Sequence, residues 1–253
     1  MKMLYLECNM GASGDMLMSA LLELHSDPKD FLQRFNELEI PGISLQTRPA
    51  IKCGITGTQV VITVNGKEEE HGEISREHNH NNGHCHNNMT EVEHIISHIK
   101  IPDHVKENVL AVYSLIAEAE SYVHGKPVNQ IHFHEVGTMD AIADITGVCL
   151  LMEELNPEQV LASPVHVGSG HVHCAHGILP VPAPATAHIL KDVPIYGGTI
   201  NAELCTPTGA GLLKHFCPGF SSMPVMRVQK IGYGMGKRDF EIANCVRALF
   251  GEI

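Results

Sequence analysis

The sequence predicts an α/β or α+β protein, a mixed sheet with helices packed on it and one long mobile His-rich loop. Three observations carry this. Short apolar or alternating segments run from "MLYLEC" (3–8) to "NCVRALFG" (244–251). Stretches of helical spacing are interleaved with them along the whole chain, which argues against a bundle or a sandwich. Between 66 and 89 all periodicity is lost and the chain becomes charged, then His/Asn-rich. Residues 1–65 and 90–253 are therefore expected to form one domain, with 66–89 as a flexible loop.

The elements follow in order. "MLYLEC" reads as a short buried strand. After "NMGASGDM", Leu17, Ala20, Leu21 and Leu24 recur at helical spacing, and a second short helix is expected over 28–38. Residues 43–64 alternate and are β-rich, with Gly54 and Gly57 as turn signals, so a hairpin is expected. Helices follow at about 90–99 and 103–124, the second ended by Gly125 and Pro127. A third runs from Thr138 to Leu155 with Ile142, Ile145, Cys149 and Met152 as its core face. Beyond it, strands at "QVLASPVHVG", "PVMRVQKIGYG" and "NCVRALFG" alternate with helices entered through Pro182/Pro184 and Thr206/Thr208.

Composition narrows the function classes. The formal charge is −12 with histidine neutral, and no Lys/Arg cluster makes a basic face, which disfavours nucleic acid and anionic membranes as partners. With no tryptophan, stacking platforms for single strands are not expected. The N-terminal stretch carries Glu7 and no sustained apolar region, unlike a signal peptide, and no apolar run approaches a membrane span. The eight cysteines include no CxxC pair and read as reduced thiols of a cytoplasmic protein.

Six segments carry ligand chemistry. "GASGDM" (11–16) lies between a strand and a helix. It reads either as a phosphate cradle of Gly11, Ser13, Gly14 and Asp15, or as a tight turn with Ser13 as N-cap and Asp15 in the first turn. In "HFHEVGTMDAIADITG" (132–147), His132 and His134 alternate and can share one side of an extended segment. Glu135 follows, and Asp140 and Asp144 are expected to share a helix face away from the core stripe. This set suits a divalent metal with open positions, or acid/base work beside one. "GSGHVHCAHGILPVPAPA" (168–185) adds His171, His173 and His176 as metal ligands. "TPTGAG" opens a helix through Thr206 and Thr208, and "GYGMGKRD" (232–239) reads as a Gly-rich turn with Lys237 and Arg238. Either suits a phosphate, with Arg238 as a bidentate fork. Last, "HNHNNGHCHNN" (78–88) offers His78, His80, His84 and His86. Ordering such a chain costs about 1–2 kcal/mol per residue, so these histidines suit metal capture better than chemistry.

Taken together, "ECNMGASGDMLMSALLEL", "HFHEVGTMDAIADITG", "VHCAHGILPVPAPAT", "LCTPTGAGLL" and "GYGMGKRD" resemble, in this order, the LarC nickel-insertion family. The resemblance spans residues 5–239 and departs at Glu7-Cys8, where the family usually has Asp-Cys. It implies a nickel chelatase, of the lyase class. Such an enzyme inserts Ni²⁺ into pyridinium-3,5-bisthiocarboxylic acid mononucleotide, in a CTP-dependent reaction, to make the nickel-pincer cofactor of lactate racemase. Mg²⁺ or Mn²⁺ would accompany CTP in the full-length protein. It also implies that the chain is the N-terminal portion, with the family's C-terminal nucleotide-binding domain, and CTP binding, absent. Within that reading Glu135 is the candidate base and His134 the second. His132, His134, His171, His173 and His176 are nickel ligands, and Asp140 with Asp144 orient them or hold Mg²⁺. Proteins of the lactate racemase system are expected partners, and a homo-oligomer is compatible with the sequence. Two other readings stand beside it: a non-catalytic nickel-storing metallochaperone and a metal-dependent phosphoester hydrolase.

Overall fold

The computed structural model describes residues 1–68, 88–131, 133, 136–174 and 177–253. The chain opens with β1 (Lys2–Glu7), α1 (Gly14–Leu24) and α2 (Pro28–Asn36), then the hairpin β2 (Ile43–Lys52) and β3 (Ile55–Val64) with a short β4 (Lys67–Glu68). Helices α3 (Met89–His98), α4 (Asp103–His124) and α5 (Met139–Leu155) follow. The last part alternates β5 (Gln159–Ala162), β6 (Val165–His166), β7 (His171–Cys174), β8 (Gly177–Pro180), α6 (Pro184–Ile189), β9 (Ile195–Tyr196), α7 (Pro207–Phe216), β10 (Gly219–Phe220), β11 (Arg227–Met235) and β12 (Cys245–Glu252).

The main sheet runs β10-β5-β1-β12-β11-β3-β2, with β4 on β3. It is mixed: β1 lies parallel to β5 and antiparallel to β12, and β11 is antiparallel to β12. Two small pairs stand apart, β6 with β9 and β7 with β8. The expected α/β architecture is therefore observed, and its boundaries have local causes. Asp27 caps α2 through the Asp30 N–H, with proline in its first turn. Asn88 and Glu91 form a capping box at α3. Thr138 and Thr206 cap α5 and α7, and Gly125 closes α4 in the left-handed conformation.

Helix α1 lies across β11, β12 and β3, and glycines set how closely. A Cβ at Gly234 would stand 1.8 Å from the Met16 carbonyl oxygen, and one at Gly232 2.1 Å from that of Ala20. This corrects the reading of "GYGMGKRD": its first glycines lie in β11 under α1, and only the residues after Met235 leave the strand. Gly57 is likewise inside β3, against Tyr233 and Met235, while Cys53 and Gly54, both at positive φ, make the two-residue turn.

Helix α5 departs further from expectation. Its apolar stripe is buried as read, but Asp140 and Asp144 are buried as well, at 5% and 6% exposure. The acids do lie off the Ile142/Ile145/Cys149 stripe, yet α1 packs on that side and takes them out of solvent.

Candidate functional site

The N-terminal end of α1 is a junction of four segments. The loop before it is stitched to the start of α7 by Ala12 N–H to the Leu204 carbonyl and Thr206 N–H to the Ala12 carbonyl, both at 3.0 Å. Asp144 of α5 reaches the first turn of α1, where a Cβ on Gly14 would stand 2.5 Å from Asp144 Oδ2. Glycine at 14 is what admits the carboxylate. The Asp15 N–H donates to Asp144, and Lys237, just past β11, acts on the same carboxyl through space.

The start of α1 is thus filled by a side chain of the protein itself, the Asp144 carboxyl, which accepts from the Asp15 N–H. Ser13 occupies the N-cap position, but its hydroxyl donates to the Asp15 carboxylate instead of capping, and Met16 N–H donates to Asp15 Oδ1 at 2.9 Å. A phosphate over Gly11, Ser13 and Gly14 would have to displace Asp144. Thr206 and Thr208 at α7 are half-buried, bonded to each other at 2.9 Å, with Thr206 accepting from Gly209 N–H. Arg238 is exposed.

Asp144 is the electrostatic centre of the junction. Burial first, then the carboxylates of Asp140 and Asp15, hold its carboxyl well above the usual carboxylate range, against the opposing pull of Lys237 and the Asp15 N–H. Its Oδ1 is buried without a hydrogen-bond partner among the described residues. A carboxyl raised in this way, with an oxygen left without a partner among the described residues, marks the junction as a candidate site.

Tyr113 of α4 ties this junction to "HFHEV". Burial, Asp144 and Asp140 all push its phenol up, so it lies within the field of both acids. Its hydroxyl donates to the Val136 carbonyl at 3.3 Å, and its ring lies 6.0 Å from that of Phe133. Ile131, Phe133 and Val136 are buried and anchor the segment. His132, His134 and Glu135 themselves lie outside the described residues, as do His78, His80, His84, His86 and His176.

The turn bearing Lys237 is clasped from the β2–β3 hairpin. The Lys52 ammonium, 8% exposed, donates to the carbonyls of Lys237 and Arg238 at 3.4 and 3.0 Å and to Asp239 Oδ1 at 2.5 Å. Asn244 Nδ2 donates to the Arg238 carbonyl from the other side at 2.9 Å. Neither Lys52 nor Tyr113 stands out in the sequence, because both act only across long chain separations.

The second group of sequence-derived ligands is elsewhere in character. His171 and His173 are exposed and share one face of β7, opposite Pro180 and Ile178 of β8. Among the described residues no three His, Cys, Asp or Glu side chains come together as a metal site. The interior cysteines are poor thiolate donors: burial pushes Cys217 up to about 12, and Cys8 and Cys205 well above the ordinary thiol value. Glu7 is paired with Arg247 at 2.5 Å.

Residues 4–252 match the family described as nickel insertion protein. The chain belongs to that family. It is 42% identical over 254 residues to a Clostridium kluyveri protein named pyridinium-3,5-bisthiocarboxylic acid mononucleotide nickel insertion protein, covering 100% of this chain and 62% of the relative. Relatives of the same name from Desulfitobacterium hafniense and Acetivibrio thermocellus are 40% and 38% identical over 253 residues, covering 100% and 99% of this chain and 59% and 60% of theirs. The chain thus spans about three fifths of the length of these curated relatives. No solved structure matches it. No described helix is long and apolar enough to cross a membrane.

Proposed function

We propose that this chain is the nickel-handling part of a chelatase. It acts in the insertion of Ni²⁺ into pyridinium-3,5-bisthiocarboxylic acid mononucleotide to give the nickel-pincer cofactor of lactate racemase. The observation that carries the reading is the family match over residues 4–252, joined to a buried carboxylate junction beside the histidine-bearing segment. The relatives' names supply the substrate. CTP dependence, with Mg²⁺ or Mn²⁺, and a cytoplasmic setting belong to the same proposal.

The chemistry is an exchange of protons for a cation. Nickel bonds to two thiocarboxylate sulfurs and to a ring carbon, and that carbon must give up its proton. Glu135 is the candidate acceptor, with His134 second. Chain continuity tethers both to Phe133 and Val136, which pack against Tyr113 within the field of Asp140 and Asp144. The carboxyl groups of Asp140, Asp144 and Asp15 lie in one another's field, and an arriving divalent ion would relieve that repulsion and favour their ionised forms. His132, His134, His171, His173 and His176 are candidate nickel ligands. Thr206, Thr208 and Arg238 are candidates for the substrate phosphate, as are Gly11, Ser13, Gly14 and Asp15 if Asp144 gives way.

Insertion assays on Glu135→Gln and His134→Ala test this, run with substrate, Ni²⁺, Mg²⁺, CTP and the C-terminal portion of a relative. Rates should fall by roughly 10²-fold or more for Glu135→Gln. Wild-type rates in both would remove these residues from the mechanism. A storage role is favoured by the exposed His171 and His173. Several Ni²⁺ ions bound without turnover under those conditions would support it.

A further inference from the structure

A further pair of histidines, outside every ligand-bearing segment named so far, lies on α3. His94 and His98 are four residues apart on one helix face, both exposed, with ring centres 4.4 Å apart. Two imidazole nitrogens, each about 2.0–2.1 Å from one ion, can converge across such a separation. This is the spacing by which a helix presents two histidines to one metal.

The second feature is the tautomer. His98 Nδ1 lies 2.8 Å from the His94 carbonyl oxygen and 3.1 Å from Ser97 Oγ. Ser97 Oγ itself donates to that same carbonyl at 2.7 Å. An acceptor carbonyl on Nδ1 fixes the proton there and turns the Nε2 lone pair outward, the orientation that metal-binding histidines take from their outer partners.

The helix is also rigidly seated. Val92 and Ile96 are fully buried on its inner face, and the Asn88/Glu91 capping box holds its start. Lys106 Nζ donates to the Ser97 carbonyl at 3.0 Å near its end. The histidines open onto a cleft of about 220 Å³ whose facing wall includes Leu38, Glu39 and Pro41. Glu39 contributes negative charge to that wall.

We propose that His94 and His98 form a two-imidazole capture site for a late first-row divalent cation on the exposed face of α3. Two protein ligands leave the remaining positions to water, so the ion is held yet exchangeable. Imidazole selects copper, nickel and zinc over magnesium and calcium. That the ion is nickel in this protein rests on the function proposed above, whereas binding of late divalent ions by the pair does not.

The test uses the full chain with His78, His80, His84 and His86 replaced by alanine, so that these histidines do not mask the result. Ni²⁺ alone is titrated by calorimetry into this protein and into a version also carrying His94→Ala and His98→Ala. One equivalent of Ni²⁺ should be lost, and His94→Ala alone should weaken that equivalent at least tenfold. Zn²⁺ should shift both imidazole resonances together in NMR spectra, and Mg²⁺ should not compete. Unchanged stoichiometry in the double variant, or resonances that do not move, overturns the proposal. The substitutions are on an exposed helix face and leave the core intact. Insertion at saturating Ni²⁺ should be unaffected by them. A protein that binds Ni²⁺ through this pair yet never inserts it keeps the capture site and loses the proposed function.

Discussion

Asp144 and His173 both belong to segments rich in ligand-type residues, and the fold treats them in opposite ways. Asp144 is 6% exposed, wedged at the start of α1 through the space left by Gly14, with one oxygen unpartnered among the described residues. His173 stands exposed on the two-stranded β7–β8 pair, outside the main sheet. The properties of a buried group are set by its neighbours, so Asp144 is displaced well above the usual carboxylate range. An exposed imidazole can meet an ion arriving from solvent without first losing its hydration to the protein. The difference separates a group whose titration is set by its buried neighbours from imidazoles that solvent reaches directly.

The largest effect that can break this contrast comes from the glycines under α1. Gly234→Ala would drive a methyl into the Met16 carbonyl, 1.8 Å from the added Cβ. Forced overpacking costs about 1–3 kcal/mol and occasionally more, and this contact is with backbone. A fall of at least 3 kcal/mol in denaturant stability is expected, roughly at the top of that range. A variant as stable as wild type would mean that α1 is not pinned there.

Asp144→Asn sharpens the contrast through stability. An acid whose folded-state pKa is raised stabilises fully below its unfolded value, and that contribution is lost as pH rises through the folded value. Wild-type stability should therefore decline on the alkaline side of the ordinary carboxylate range, and the asparagine variant should not share that decline. The variant should gain over wild type by about 1–3 kcal/mol near neutral pH, the scale for a buried unsatisfied polar group. Melting curves from about pH 5 to about pH 8 check this. A gap that narrows with rising pH would reverse the assignment.

Lys52→Met would leave the carbonyls of Lys237 and Arg238 short of a donor and release Asp239. About 1–2 kcal/mol of stability should be lost, and insertion should slow by several-fold because the turn that places Lys237 in the field of Asp144 is no longer clasped. Unchanged kinetics in a destabilised variant would make Lys52 structural only. The smallest effect is expected for His171→Ala with His173→Ala. Thermal stability should stay within about 0.5 kcal/mol, while half-saturation by nickel shifts upward. A large loss of stability would show that the pair serves the fold.

Much of this was legible in the sequence, and the limits have physical causes. Helices α1, α4 and α5 and the β2–β3 hairpin follow from periodicity and caps. The burial of Asp140 and Asp144 does not, because period analysis of one helix is blind to a second helix packing on its polar side. The glycines of "GASGDM" and "GYGMGKRD" read as turn or phosphate signals, and several prove to be close-approach positions between α1 and its neighbours. A missing Cβ looks the same in sequence whether it admits a ligand or another backbone. Lys52 and Tyr113 could not be found from sequence because their partners lie across the fold, whereas the four-residue spacing of His94 and His98 was there to be read and only their exposure and the tautomer-fixing hydrogen bond were not.

The most direct test of the central claim compares Asp144→Asn with a deletion of His78–His86 in single-turnover insertion across nickel concentration. The claim is that insertion depends on the buried carboxylates while histidines elsewhere collect the metal. It predicts that the deletion moves the nickel curve to higher concentration but reaches the wild-type plateau, whereas Asp144→Asn lowers the plateau by roughly 10²-fold at every concentration. A deletion that abolishes the plateau at saturating nickel, or an Asp144→Asn protein that retains it, would contradict the account.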